Sequence, residues 1–204
     1  MTYRELAVPG AWEITPVQHG DPRGVFLEWF QGVPFASNVG HPLTLAQANM
    51  SVSAAGVLRG IHFADVPPGQ AKYVTCPKGA VLDVVVDIRV GSPTFGAWDT
   101  VLLDDVDRRA IYLSEGLGHA FCSLEDDSTV VYLCSTPYAP GREHGVNPLD
   151  AAIGIEWPQV ARDGSPITHQ LSAKDTAAPT LAEAAEQGLL PRWDEVREFV
   201  ARLG

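Results

Sequence analysis

From about residue 11 to residue 157 the chain is a succession of short apolar runs, each cut off by glycine or proline. The punctuation falls at Asp21-Pro22-Arg23-Gly24, Ala54-Ala55-Gly56, Pro67-Pro68-Gly69, Pro77-Lys78-Gly79, Gly91-Ser92-Pro93 and Pro140-Gly141. Between these turns lie β-rich runs, Val81 to Ile88, Thr100 to Leu103, Ala110 to Leu113 and Ser128 to Cys134. Runs this short leave no room for long helices, and many strands at such spacing close into a sandwich or a barrel. The 19 glycines and 16 prolines in 204 residues fit the same all-β body. That length suits one domain with a core large enough to need no cross-links.

Charge narrows the partners. A formal net charge of −11 repels nucleic acid and anionic membrane, so an anionic ligand would need a local cluster of arginine and lysine. No window approaches 18 uninterrupted apolar residues, and Met1-Thr2-Tyr3-Arg4-Glu5 lacks the apolar stretch of a secretory leader. Cys76, Cys122 and Cys134 are an odd number at wide spacing with no CxxC pair, which indicates neither a disulfide framework nor zinc. The expectation is a soluble protein of the cytoplasm.

Three stretches carry chemistry. In Arg59-Gly60-Ile61-His62-Phe63 a strand ends at a glycine beside a histidine, and Lys72 follows ten residues later within Gln70-Ala71-Lys72-Tyr73. The chain has only three lysines. Histidine is poised to take a proton near neutral pH, and an ammonium beside it can hold a developing oxyanion, a pairing suited to proton abstraction next to a carbonyl. A core-edge histidine with a snorkelling lysine is the other reading. In Gln47-Ala48-Asn49-Met50-Ser51 the polar Gln47, Asn49 and Ser51 share one face, either solvated or lining the inside of a barrel. Asp83 and Asp87 share a face of the apolar strand from Ala80 to Ile88, and buried carboxylates need partners: they orient a His or Lys, or cap the barrel's end. The six histidines are scattered singly, without the His-x-His pair of a metal site, so no metal is expected. After residue 176 the pattern turns helical, with a capping box at Thr180-Leu181-Ala182-Glu183, a stop at Gly188 and a second helix from Glu195 to Leu203.

Taken in order, these motifs resemble the dTDP-4-dehydrorhamnose 3,5-epimerase family over nearly the whole chain. The resemblance rests on Asp21, Arg23 and Gly24 followed by Phe26 and Glu28, on Gln47-x-Asn49-x-Ser51, on Leu58 to His62, and on Gln70-Ala71-Lys72. It continues through Gly91 to Gly96, Gly118-His119-Ala120-Phe121, Tyr132, Tyr138 with Glu143, Ile155 to Pro158, and Leu171-Ser172-Ala173-Lys174-Asp175. It implies a mainly β fold, a cupin-like (RmlC-type) antiparallel β-barrel or jelly roll of about residues 11–175, with a short helical tail over about 176–204.

The same resemblance implies an enzyme that inverts the carbons flanking the ketone of a dTDP-4-keto-6-deoxysugar. His62 would be the base, Asp175 its dyad partner, Lys72 the stabiliser of the enolate oxygen, and Tyr132 the group returning a proton to the opposite face. Arg23 and Arg59 would hold the diphosphate, and Phe26 and Tyr138 would sandwich the thymine. Glu28, Gln47 and Asn49 would read its polar edges, Ser51 and His119 would line the sugar or phosphate region, and Glu143 and Lys174 complete the set. The segment Arg23–Glu28 would come from the neighbouring subunit, so a homodimer is implied. Departures fall at Ala64, at Ala120 and in the loop Glu143 to Asp150, all touching the pocket wall. A 3-only or 5-only monoepimerase shares every residue named; a 3,4-ketoisomerase and a non-catalytic sugar-binding module are further alternatives.

Overall fold

The computed structural model describes residues 1–204, in thirteen strands and four short helices. The chain opens with β1 (Thr2–Glu5), β2 (Ala11–Thr15), β3 (Gln18–Asp21) and β4 (Gly24–Leu27), then α1 (Gly32–Val39). Strands β5 (Gln47–Ser53), β6 (Leu58–Ala64), β7 (Lys72–Lys78), β8 (Ala80–Val86) and β9 (Trp98–Asp104) follow. Next come β10 (Ala110–Leu113), β11 (Gly118–Ser123), β12 (Ser128–Cys134) and β13 (Glu143–Gly145), and the chain ends in α2 (Ala173–Thr176), α3 (Leu181–Glu186) and α4 (Trp193–Val200). No helix is long and apolar enough to cross a membrane.

The strands form a six-stranded sheet, order β1-β2-β10-β7-β12-β5, a five-stranded sheet, order β13-β6-β11-β8-β9, and a separate hairpin of β3 and β4. Every named pairing is antiparallel. Alternation along the strands makes three apolar layers. Val74, Cys76, Ile111, Leu113 and Val130 of the larger sheet meet Val81, Val85, Val101, Leu103 and Phe121 of the smaller one between the sheets. On the opposite face of the smaller sheet, Ile61, Val84, Val86 and Ala120 are covered by Trp157, Leu181, Ala184 and Leu190. On the opposite face of the larger sheet, Tyr73 and Tyr112 are covered by Phe35 of α1, whose ring lies 4.8 Å from that of Tyr112. Truncating a fully buried side chain of the middle layer such as Leu103 to alanine is expected to cost about 3 kcal/mol. The double-sheet jelly roll is thus the architecture that the turn spacing implies.

The structure also corrects that reading. The sheet begins at Thr2, earlier than about residue 11, because the polar strand β1 pairs with β2 although its side chains are mostly exposed. Helix α1 lies in a stretch where no helix was expected: Gly32 and Pro34 sit in its first turn, where a missing N–H breaks no intrahelical bond, and Gly40 stops it with φ of 99°. The strand from Ala80 ends at Val86 rather than Ile88. Asp87 turns to cap the following loop, accepting from Arg89 Nε at 2.8 Å and from the hydroxyls of Ser92 and Thr94 at 2.6 Å. The last helix starts at Trp193 and ends at Val200, against the expected Glu195 to Leu203. The capping box at Thr180 and Glu183 forms as read.

Candidate active site

Residues 59 and 62 are three apart, and strict alternation would put their side chains on opposite faces of β6. The register prevents this. His62 pairs with His119 while Arg59 pairs with Phe121, so β6 carries one residue more than β11 across that interval, and Arg59 and His62 both turn into the barrel. Gly60 makes the bulge possible. Its φ is 122°, and a Cβ there would lie 2.5 Å from Ala120 Cβ and 2.6 Å from the His119 carbonyl oxygen.

The His62 ring, 39 % exposed, is met by a carboxylate from the far end of the chain: Nε2 lies 2.7 Å from Asp175 Oδ1. Helix α2 aims that carboxylate, since Ser172 caps it by accepting from the Asp175 backbone N–H at 3.0 Å. Burial alone would raise the Asp175 carboxyl. The hydrogen bond and charge of His62, with the Ser172 hydroxyl and the Gly60 N–H, reverse this and hold it below the usual carboxylate range.

Lys72 enters from the first residue of β7, beside Cys134 in register, with no hydrogen bond or ion pair on its ammonium group. Burial lowers its pKa; Cys134, Glu143 and Asp83 act in the opposite direction. Tyr132 sits on β12 opposite Asn49 of β5. Burial, then Cys134, push its phenol up, against the pull of Arg59 and Asn49.

The row Gln47, Asn49, Ser51 turns inward, while Ala48, Met50 and Val52 of the same strand are exposed. This decides between the two readings of β5: the polar face lines the interior. Gln47 Nε2 donates to Asn49 Oδ1 at 2.7 Å, and the Tyr138 backbone N–H donates to Gln47 Oε1 at 3.0 Å, tying the Tyr138 loop to the row. Arg59 Nε donates to Ser53 Oγ at 3.2 Å, and the Ser51 hydroxyl is buried without a partner.

Two adjoining cavities share His62, Tyr138 and Glu143. One, of about 510 Å³, is also lined by Gln47, Asn49, Gln70, Lys72 and Tyr132. The other, of about 470 Å³, is lined by Arg59, Lys174 and Asp175 among others. Ten of the predicted site residues are therefore brought together. Ser51 and His119 lie in the interior without lining either cavity; His119 is paired with Asp83, its Nε2 2.9 Å from both carboxylate oxygens. Arg23, Phe26 and Glu28 are elsewhere, on and just after the exposed β3–β4 hairpin, with Phe26 68 % exposed and the Arg23 guanidinium on Asp21.

Sequence reasoning assigned no role to Gln70, His144 or Ser172, all of which line the cavities. Gln70 Nε2 is held by the Thr136 carbonyl at 3.0 Å and His144 by Asp65 at 2.7 Å. The capping pattern Ser172-x-x-Asp175 was the legible signal for Ser172. No three His, Cys, Asp or Glu side chains converge as a metal centre needs.

A jelly roll that gathers an accessible histidine–carboxylate pair, an unpaired lysine and a tyrosine around one space has the groups that proton transfer at a carbon beside a carbonyl needs, and the class of protein is an isomerase of the epimerase type. Its family is specific: the chain belongs to the dTDP-4-dehydrorhamnose 3,5-epimerase family, whose profile matches residues 5–183. It is 63% identical over 203 residues to the dTDP-4-dehydrorhamnose 3,5-epimerase of Mycolicibacterium smegmatis, covering 100% of this chain and 97% of that one. The rmlC epimerase of Mycobacterium tuberculosis superposes with a TM-score of 0.94 at 56% identity, over 100% of both chains. ChmJ, a 3'-monoepimerase of Streptomyces bikiniensis solved with dTDP-quinovose, superposes with a TM-score of 0.91 at 52% identity, over 97% of both chains. The RmlC-type, cupin-like fold expected from the motifs is therefore the fold of this chain.

Proposed function

We propose that this enzyme inverts carbons 3 and 5 of dTDP-4-dehydro-6-deoxy-D-glucose to give dTDP-4-dehydro-L-rhamnose. The observation that carries the reading is the His62–Asp175 pair, open to a cavity that Lys72 and Tyr132 also line. His62 takes the proton α to the carbon 4 ketone, and the Asp175 carboxylate fixes the tautomer and stabilises the imidazolium that forms. The electron pair of the broken C–H bond moves to the ketone oxygen, where the Lys72 ammonium holds the enolate. Tyr132 gives its proton to the opposite face of the same carbon. Each inversion leaves His62 protonated and Tyr132 deprotonated, and exchange with solvent resets both. The reaction involves no net oxidation or reduction, so it calls for no nicotinamide or other redox cofactor, and the Lys72 ammonium supplies the positive charge at the enolate oxygen that a metal would otherwise supply.

The nucleotide half of the substrate falls to the remaining residues. Arg59 and Arg23 take the diphosphate through charge-assisted bonds. Tyr138 and Phe26 stack on thymine, while Gln47, Asn49 and Glu28 read its edges. Ser51 and His119 serve the sugar or phosphate region, with Glu143 and Lys174 at the rim. Arg23, Phe26 and Glu28 reach a site only as the contribution of a second copy, so the working unit is a homodimer exchanging the Arg23–Glu28 segment. The exposed hairpin and the exposed Val25, Met50 and Val52 support this arrangement. Three unpaired, buried cysteines suit a cytoplasmic protein.

The test is proton NMR of dTDP-4-keto-6-deoxyglucose with the protein in heavy water. Deuterium at carbons 3 and 5 is the expected result. Deuterium at one carbon would make the enzyme a monoepimerase, the activity carried by the ChmJ relative. Absence from both would overturn the assignment.

A further inference from the structure

The proposed chemistry leaves Asp83 unused, a buried ionic group on the inner face of the barrel. Asp83 is fully buried in the middle of β8, flanked on its own face by Val81 and Val85, and accepts from His119 Nε2 with both oxygens. Natural cores rarely hold a carboxylate in such a place unless it answers to a nearby cation. His119 is one partner. Lys72 faces the same interior from the other sheet: it shares the inner face of β7 with Val74 and Cys76, which pack against the Val81 and Val85 that flank Asp83, and it makes no hydrogen bond of its own.

The groups that face Lys72 from the surrounding elements are Cys134 and Tyr132 on β12, Glu143 on β13, Asp83 on β8 and His62 on β6. Cys134 leads the influences that raise Lys72, but only as a thiolate, and burial pushes that thiol above its ordinary value, leaving it neutral near pH 7. Tyr132 is likewise pushed up and neutral. Glu143 is half-exposed at the cavity mouth, where solvent screens it. Asp83 is the carboxyl that water does not reach: burial pushes it above the usual carboxylate range, and the charge and hydrogen bonds of His119, then the charge of Lys72, pull it back toward the ionised form. We infer that Asp83, clamped by His119 across the barrel interior from Lys72, is a positioning residue that keeps the Lys72 ammonium charged at the cavity. Burial already draws the Lys72 pKa down, removal of a buried carboxylate draws it down further, and a neutral amine stabilises an enolate poorly.

The inference rests on the proposed role of Lys72 for its catalytic consequence, and the two can fail separately. With only three lysines in the chain, ¹³Cε-lysine labelling gives three resonances to follow against pH, with Lys72 identified by its loss in Lys72→Met. In Asp83→Asn the Lys72 midpoint is expected to fall by one pH unit or more, a tenfold loss of proton affinity, with Lys78 and Lys174 unmoved. The alkaline limb of deuterium exchange should move down with it. An unmoved Lys72 midpoint in folded Asp83→Asn overturns the inference. Should that variant not fold, coupling is reciprocal and Lys72→Met serves in its place: the Asp83 carboxyl carbon, followed by ¹³C-aspartate labelling, must then titrate higher than in wild type, and an unchanged midpoint overturns the inference equally. Full exchange activity in Lys72→Met would instead remove the enolate role while leaving the measured Asp83–Lys72 coupling intact.

Discussion

Two histidine–carboxylate pairs stand next to each other inside this barrel, His62–Asp175 and His119–Asp83, their histidines paired across β6 and β11. Chemically they are the same device. They differ in what can reach them. The His62 side chain is 39 % exposed and its carboxylate arrives on a short helix from the tail, whereas the His119 side chain is 10 % exposed and Asp83 is at 0 % within a strand. An imidazole open to the cavity can exchange a proton with a substrate and then with water. The His119 pair keeps its Nε2 on both oxygens of Asp83, so it can contact the substrate without trading that proton, and otherwise acts on its surroundings through its field. Access, rather than residue type, divides the labour.

The sharpest way to break this comparison is to remove each imidazole in turn. His62→Ala is expected to lower deuterium exchange at both carbons by about 10³-fold or more, within the range of a lost general base. His119→Ala strands a buried carboxylate, so its first symptom should be a stability loss of about 3 kcal/mol in urea unfolding, with a far smaller fall in exchange. Equal losses of exchange would erase the distinction.

Next in size is Gly60→Ala. A Cβ at φ of 122° and 2.5 Å from Ala120 Cβ strains the bulge that sets His62 beside His119. The expected loss is about 3 kcal/mol, read as a shift in the urea midpoint, with activity falling alongside. A neutral substitution would mean that β6 does not need its extra residue. Tyr132→Phe should keep α-proton exchange while inversion falls by about 10²-fold, since only the return of the proton to the second face is lost. Parallel loss of both would give Tyr132 another task.

The smallest effect concerns acid. The Asp175 carboxyl is held below its ordinary value in the fold, so its contribution to stability is fully present above the unfolded aspartate pKa of about 3.9 and disappears as pH falls through the folded value. The stability gap between wild type and Asp175→Asn, measured by urea unfolding, should therefore narrow from about pH 6 to about pH 3. A gap that stays constant would show that the pair contributes nothing through ionisation.

Much of the barrel could be read from local signals, and the failures have physical causes. Strands β10 and β12 fall on the residues expected, bounded by turns that their composition announces. Helix α1 escaped because Gly32 and Pro34 look like turn residues and are equally tolerated in a first helical turn. At the site, His62 and Lys72 could be singled out from their own neighbourhoods. That Arg59 and His62 share a face could not, because a bulge defeats the two-residue period. Asp175 lies 113 residues from His62, and nothing local in either segment announces the contact; only the likeness of the whole motif series pointed to it. Nor does alternation along Gln47 to Ser51 say which face turns inward, since a pattern of period two reads the same from both sides of the sheet.

Strand β5 has a consequence for how the protein survives outside its cavity. It is the last strand of the larger sheet, and it wears its polar side chains within and Met50 and Val52, 68 % and 55 % exposed, without. A free edge with a greasy outer face is a docking invitation for any passing strand, the usual first step of precipitation. If a second copy occupies that edge, dilution should make the protein fragile: its melting temperature would climb with concentration, as half of its shelter is another molecule.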